Sequence, residues 1–379
     1  MKSGTKISVY VLVLSAVLAL IFNACNCSVT ELNIGYIGPL SERAVDLGIG
    51  PNNAMLLAVE EFNSANDKIK VNYSFRDDKW EANNTLKAYN SLKSELNLNL
   101  LVVSNTDGVI AVNEECLKDN VTVINPLNSD SLLSALPNHV FKIAKKTEEA
   151  HEIIGVRMVD LKYKKVAIFH YPNDFMSRAT NTVTSLLDKY QVQSLVFTTD
   201  KNQTDYTEEL LKCQAEKVEA IAFFGYKEYG FAMHQAREMN LNVAFYGSTV
   251  LFDPAYYDNS KGALKGTVFT YFTPKDGNYV KATKFLKSYQ DRFGEEPPSI
   301  WPAMQAYDAM NIYLRAAKKV LETNASHNDL NKLIRQELAS LEYYQGVCGN
   351  LKMGENNAIQ GIYFSLYEYL EKGKVKRSL

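Results

Sequence analysis

Residues 98–130, LNLLVVSNTDGVIAVNEECLKDNVTVINPLNSD, restrict the fold more than any other part of the chain. The apolar run at 100–103 stops at once in Ser104-Asn105-Thr106-Asp107-Gly108, and a segment of helical character covers 109–118. A second apolar run, 121–124, stops in Asn125-Pro126-Leu127-Asn128-Ser129-Asp130. Short runs that are apolar on both faces predict strands covered by helices on each side, the environment of a parallel sheet. Two neighbouring parallel strands that each end in small polar residues before a helix set two loops side by side. Open α/β sheets bind ligands there, because unpaired N–H groups at helix starts point into the crevice.

The same grammar runs through most of the 379 residues. Strands are expected at 31–38 and 69–75, with helices at 48–63 and 81–96. A strand-like crossing at 140–143 follows the stretch above. The second half repeats the pattern: strand 165–170 with loop 171–175, strand 220–224 ending in Gly225-Tyr226, and strand 242–246 ending in Gly247-Ser248-Thr249, with helices between. Residues 266–274 read as a strand crossing back, 279–293 as a helix, and 294–298 (GEEPP) as its breaker. A long helix to 321, a short one at 329–339 and a last strand at 361–370 complete the pattern. The basic end, 372–377, reads as a solvated tail. A chain of this length exceeds one core, so two α/β/α lobes are expected. With no low-complexity linker between them, several ordered crossings would form a hinge.

The N-terminus reads as an export signal. Lys2 and Lys6 precede an apolar run at 7–22 that is short for a membrane span. Phe22-Asn23-Ala24-Cys25 resembles a bacterial lipobox, in which Cys25 becomes the diacylated first residue. Ala24 fits that pattern, while Phe22 and Asn23 depart from it. The expectation is a signal peptide over 1–24, a lipidated tether over 25–30, and a periplasmic or cell-surface protein held to the membrane by lipid alone. Free secretion is the alternative.

Against 41 Lys and Arg the chain carries 43 Asp and Glu, and no basic stripe appears, which argues against nucleic acid. The five histidines are scattered, and the cysteines lack metal-site spacing, so no metal or cofactor is expected. Motifs such as G-x-S-x-G, a phosphate loop or H-E-x-x-H are missing. Asp77 and Asp78 pair carboxylates at a strand end, in what reads as a solvated turn. The strand-end loops instead offer hydrogen-bonding and stacking groups: Ser104, Asn105, Asp107, Asn128, Ser129, Phe175, Tyr226 and Thr249. Such an inventory favours binding over turnover.

Several segments together resemble the branched-chain amino acid type of periplasmic solute-binding protein. They are ELNIGYIGPLSERAVDLG, AMLLAVEEFNSAN, VTVINPLNSDSLL, KVAIFHYPNDFMSRAT, the run from DYTEELLKCQAEKVEAIAFFGY to AFYGST, and FLKSYQDRFGEEPPSIWPAMQAYDAM. The resemblance covers roughly residues 31–370. It implies a two-lobed type I periplasmic-binding fold with three hinge crossovers, lobe 1 over 31–143 and 273–347, and lobe 2 over 144–272 and 348–379. It also implies a monomer that traps a small polar ligand, an amino acid or amide, and delivers it to an ABC permease. A membrane sensor is the alternative recipient. By position, Asp107 and Gly108 match first-lobe contacts, Leu47 matches an aromatic in the first loop, and Leu127 and Ser129 match the loop that grips α-amino and α-carboxylate groups. Phe175 and Tyr226 match second-lobe tyrosines, while Thr249 stands where the family has an acid that pairs with the ligand's ammonium. An unpaired buried ammonium is costly. Either Asp107 supplies the charge from the facing lobe, or the ligand is an amide, short carboxylate or small aromatic.

Overall fold

The computed structural model describes residues 29–378 except 43, 147, 201, 273–278 and 324–328, and leaves out the side chains of 148, 174, 175 and 272. The proposed signal peptide and Cys25 therefore lie outside the described residues.

The first sheet has the order β2-β1-β3-β4-β5 and is parallel throughout. Its strands are β1 (Thr30–Gly38), β2 (Ile69–Asp77), β3 (Leu100–Val103), β4 (Thr122–Asn125) and β5 (Val140–Lys142). Side-chain alternation sorts these strands into two cores. Leu32, Ile34, Tyr36, Leu100, Val102, Ile124 and Phe141 face one way, towards α1 (Ile49–Ser64). Ile37, Leu101, Val103 and Val123 face the other, towards α2 (Ala82–Glu95) and α3 (Thr106–Lys118).

After β5 the chain crosses to a seven-stranded sheet of order β15-β14-β10-β9-β8-β6-β7. Strands β6 (Lys165–His170), β7 (Gln193–Thr198), β8 (Ala220–Phe224), β9 (Ala244–Gly247) and β10 (Val268–Phe272) are parallel. Helix α4 (Glu148–Asp160) precedes them, and between them come α5 (Asp174–Lys189), α6 (Thr207–Ala215), α7 (Tyr229–Glu238) and α8 (Pro254–Ser260). The chain then returns as α9 (Val280–Phe293), α10 (Ile300–Leu321) and α11 (Leu330–Ala339). Arg292 of α9 pairs with Glu60 of α1 at 2.8 Å, fixing that return to the first lobe. Gly294 ends α9 at φ 83°, a left-handed position that suits a residue without Cβ. Among the described residues no helix is long and apolar enough to cross a membrane.

A small three-stranded sheet, β11 (Tyr344–Gln345), β12 (Asn350–Met353) and β13 (Ile359–Gln360), precedes the last passage to the second sheet. There β14 (Phe364–Glu371) pairs antiparallel with β10. The basic end is not a free tail: Lys374–Arg377 forms β15, the sheet edge, paired with β14. Its charged side chains remain in solvent while its backbone is spent on the ladder, and lysine-rich edges of this kind discourage strand-to-strand association.

Lys142, the last residue of β5, is buried, and its ammonium donates to the Asn356 carbonyl with no acid paired to it among the described residues. Burial pushes its pKa down to about 8 from 10.5. Below pH 8 the folded chain therefore carries a penalised charge, relieved as pH rises from 8 towards 10.5. Asn356 is itself exposed, so water screens part of the penalty. Lys142→Met is expected to raise stability at pH 7 by about 1–2 kcal/mol. That advantage should shrink above pH 8, as measured by urea denaturation across the range.

Candidate functional site

Loops that follow parallel strands of the two sheets approach one another: Asp130, after β4, meets Arg178, after β6. On the first-lobe side, the Tyr36 hydroxyl donates to the Gly48 carbonyl at 3.1 Å and shares a 2.9 Å hydrogen bond with Ser104 Oγ. It thereby ties the first loop to the end of β3. Asp77 accepts from the Leu40 and Lys79 amides at 2.8 and 2.9 Å and from the Ser41 hydroxyl. Burial opposes its ionisation, but these bonds outweigh it and hold the carboxyl below its ordinary range. Asp78 is not in a solvated turn. It is fully buried, which raises its pKa, and it accepts from the Trp80 amide and the Thr85 hydroxyl, each at 2.9 Å. Thr85 in turn lies so close to Gly108 that a Cβ there would meet its Oγ1 at 2.7 Å. Asp77 thus fastens the first loop, and Asp78 through Thr85 seats the first turn of α3.

Asn105 caps α3 through its own Oδ1, which accepts from the Asp107 amide at 3.0 Å. The Asp107 carboxylate is exposed on that first turn, and Leu47 is half-buried at the end of the first loop. Asn125, at the end of β4, does three things. Its Oδ1 accepts from the Leu127 and Asn128 amides at 2.8 and 2.9 Å, and its Nδ2 donates to the Ser104 carbonyl at 3.3 Å. The two neighbouring loops are therefore locked together by one side chain.

Gln305, buried on α10, completes this wall. Its Oε1 accepts from the Lys145 amide at 2.8 Å, and its Nε2 donates to the Pro126 and Leu127 carbonyls at 3.2 and 3.4 Å. The Ser129 amide donates to the Lys145 carbonyl at 3.3 Å. The Leu127 carbonyl and Ser129 amide thus already have protein partners here. Sequence reasoning missed Gln305, whose one signal was an amide inside the apolar first turns of its helix, residues 300–306.

On the second-lobe side, Asn173 caps α5 by accepting from the Met176 amide at 2.7 Å. Phe175 sits in the first turn of α5, its side chain outside the described set. Tyr226 stacks edge-on against Tyr171, with ring centroids 4.9 Å apart. Thr249 is buried at the start of a 3-10 turn (Thr249–Phe252) that follows β9.

Two features span the seam. Arg178 of α5 donates to the Asp130 carboxylate at 2.5 Å, and Asp130 is 1% exposed. The other oxygen of Asp130 accepts from the Leu132 amide at 2.9 Å, capping the turn after β4. In addition Asp46 of the first loop has its pKa raised, by desolvation first and then by the charge of Asp253 on the other lobe. Among the described residues no group of three His, Cys, Asp or Glu is placed to hold a metal, and Cys116, Cys213 and Cys348 are free and buried.

A family model described as periplasmic binding protein matches residues 31–372. The chain belongs to the periplasmic binding protein family. Solved structures support that placement by fold. A leucine-binding protein from Thermotoga maritima is 17% identical, with 92% of this chain and 98% of that one covered and a TM-score of 0.77. A branched-chain amino acid transporter substrate-binding protein from Streptococcus pneumoniae, in complex with isoleucine, is 21% identical, with 92% and 98% covered and a TM-score of 0.76. A solute-binding protein of an ABC transporter from R. palustris, in complex with benzoate, is 16% identical, with 92% and 95% covered and a TM-score of 0.75. Among curated proteins no match was found. In this periplasmic binding protein the loops after β4 and β6 are joined by the Asp130–Arg178 ion pair.

Proposed function

We propose that the chain is the extracytoplasmic solute-binding component of an ABC importer. It traps a small polar molecule between lobe 1 (31–143 and 273–347) and lobe 2 (144–272 and 348–379) and presents it to a permease without chemical change. The observation that carries this reading is the cross-lobe contact of Asp130 with Arg178, beside loops whose polar groups Asn125 and Gln305 hold in place. A wall built by buried hydrogen bonds is pre-organised, so little ordering cost falls on the binding step. Leu47, Asp107, Gly108, Leu127, Ser129, Tyr226 and Thr249, with Phe175, are the candidate lining. The structural neighbours bound to isoleucine and benzoate support ligands of this size. Residues 1–24 act as the export signal, and lipid on Cys25 tethers a monomer to the membrane.

A thermal-shift screen of the mature chain with amino acids, amides, short carboxylates and aromatic acids tests the reading. A ligand present at about 100 times its Kd stabilises by about 2.7 kcal/mol and lifts Tm by several degrees. A panel in which nothing moves Tm would count against solute binding.

A further inference from the structure

The seven-stranded sheet has two edges, and they differ in kind. One is β15, KVKR, which sets three cations along its length. The other is β7, QSLVFT, with no charge, proline or glycine in its six residues. Charge and proline on an edge deter a further strand, so β15 is guarded and β7 is open to one. The backbone of β7 is available as well. Among the described residues it pairs only with β6, and the Gln193 and Thr199 amides donate to the Lys164 and His170 carbonyls at 2.9 and 3.3 Å. Alternate residues of a parallel strand face its neighbour, so Ser194, Val196 and Thr198 turn their N–H and C=O groups outwards. Val196, in the middle, is 45% exposed.

What this edge accepts is written in its own order of residues. Outwards from Val196 the strand is symmetric in character: Leu195 and Phe197 are apolar, Ser194 and Thr198 carry hydroxyls, and Gln193 and Thr199 are polar. A second copy, turned by a two-fold rotation and run antiparallel, sets Val196 against itself. It also sets Leu195 against Phe197 and Ser194 against Thr198, each twice. Like then meets like at every cross-strand pair, and the three outward-facing pairs exchange roughly six backbone hydrogen bonds. Leu195 and Phe197 already pack half-buried against the core of their own lobe, so the apolar layer continues across the joint. A slip of two residues sets Gln193 against Phe197 or Leu195 against Thr199, which disfavours other registers. The nearest acid, Asp200, falls opposite Val192.

We propose that β7 is a self-association edge, at which two copies of the chain pair their β7 strands antiparallel about Val196 and join their second sheets into one. The interface is isologous and closes on itself, so association stops at the dimer. β15, the opposite edge, is charged and cannot propagate it. A contact one strand long is small beside a standard protein interface, so the dissociation constant is on the order of 100 µM. The dilute chain therefore stays monomeric, and pairing appears where copies are crowded. The proposal is independent of which solute the chain binds.

The test is sedimentation equilibrium of the mature chain from about 5 to 500 µM, repeated on Val196→Lys, on Val196→Glu and on an equal mixture of the two variants. Position 196 is exposed, so the Tm of either dilute variant should stay within a degree or two of wild type. The average mass of the wild-type chain is expected to rise from one copy towards two. Each variant alone should associate at least ten-fold more weakly, because like charges meet on the two-fold axis. The mixture should regain association, since a cation then faces an anion there. A wild-type chain that stays monomeric throughout would overturn the proposal and leave the edge to an extended segment of some other protein. Dimers that both single variants form as readily as wild type would place the contact elsewhere and overturn it too. So would a mixture that associates no better than its components.

Discussion

Replacement of Gln305 by leucine is expected to lower the unfolding free energy by about 3 kcal/mol, because it orphans three backbone groups at once. The Lys145 amide and the Pro126 and Leu127 carbonyls all rely on this side chain, at 2.8, 3.2 and 3.4 Å. Each buried polar group left without a partner costs roughly 1–3 kcal/mol, and partial access of water to the loop keeps the sum near the lower end. Leucine matches glutamine in size, so the space at this 1% exposed position stays filled and the loss reports hydrogen bonding. For a chain of this length Tm should fall by about 4 °C. The same substitution unties the loop at 126–127 from the first crossing, so affinity for any solute that raises Tm should fall with it. A urea midpoint and a ligand titration on the same sample check both halves. A stability loss below about 1 kcal/mol would mean that the amide holds nothing.

The second large effect concerns Asp308, three residues further along α10. It is 1% exposed and accepts from the Val347 and Cys348 amides, both at 2.8 Å, as the chain turns from β11 towards β12. A Cβ on Gly346 would come within 2.3 Å of its Oδ2, so the turn closes tightly over the carboxyl. Burial pushes the Asp308 pKa up to about 6 from 3.8, against the lowering effect of those two amides. The raised value fixes the sign. The contribution is complete below pH 3.8 and is lost as pH rises through 6, since the folded state holds its proton more tightly than the unfolded one. Between pH 4 and pH 8 this group alone should remove about 2 kcal/mol of stability from the wild-type chain. In Asp308→Asn that component is absent. Subtracting the two pH profiles of urea-derived stability isolates it from every other titrating group. Parallel profiles would show that Asp308 ionises no differently in the folded chain.

What could be seen in advance follows from which interactions are local. Leu100–Val103 and Thr122–Asn125 are buried along their whole length, and a short run whose middle is apolar on both faces has few other places to go. Their small polar ends were legible for the same reason, as breaks in hydrophobicity. The strand Lys374–Arg377 was not, because an edge strand is held by backbone bonds and leaves its charged side chains in water. Charge alone cannot tell it from a tail. Asp78 misled in the opposite sense: a carboxylate beside another carboxylate reads as solvated until Thr85 and the Trp80 amide are folded over it. In the site, Asn125 was visible as a loop residue, but its part in fastening two loops together was hidden. Gln305 meets its partners from about 160 to 180 positions away, and Arg178 meets Asp130 from 48. Pairings over such distances leave no periodic trace in a single sequence.

In the proposed function the two lobes hold a single small guest at their seam. Equilibrium dialysis of the mature chain against a pooled set of amino acids, amides, short carboxylates and aromatic acids, read by mass spectrometry of the retained fraction, tests it most directly. One class of small polar molecule retained at one copy per chain, and released when urea unfolds the protein, is the predicted result. Retention of nothing above the protein-free control would contradict it.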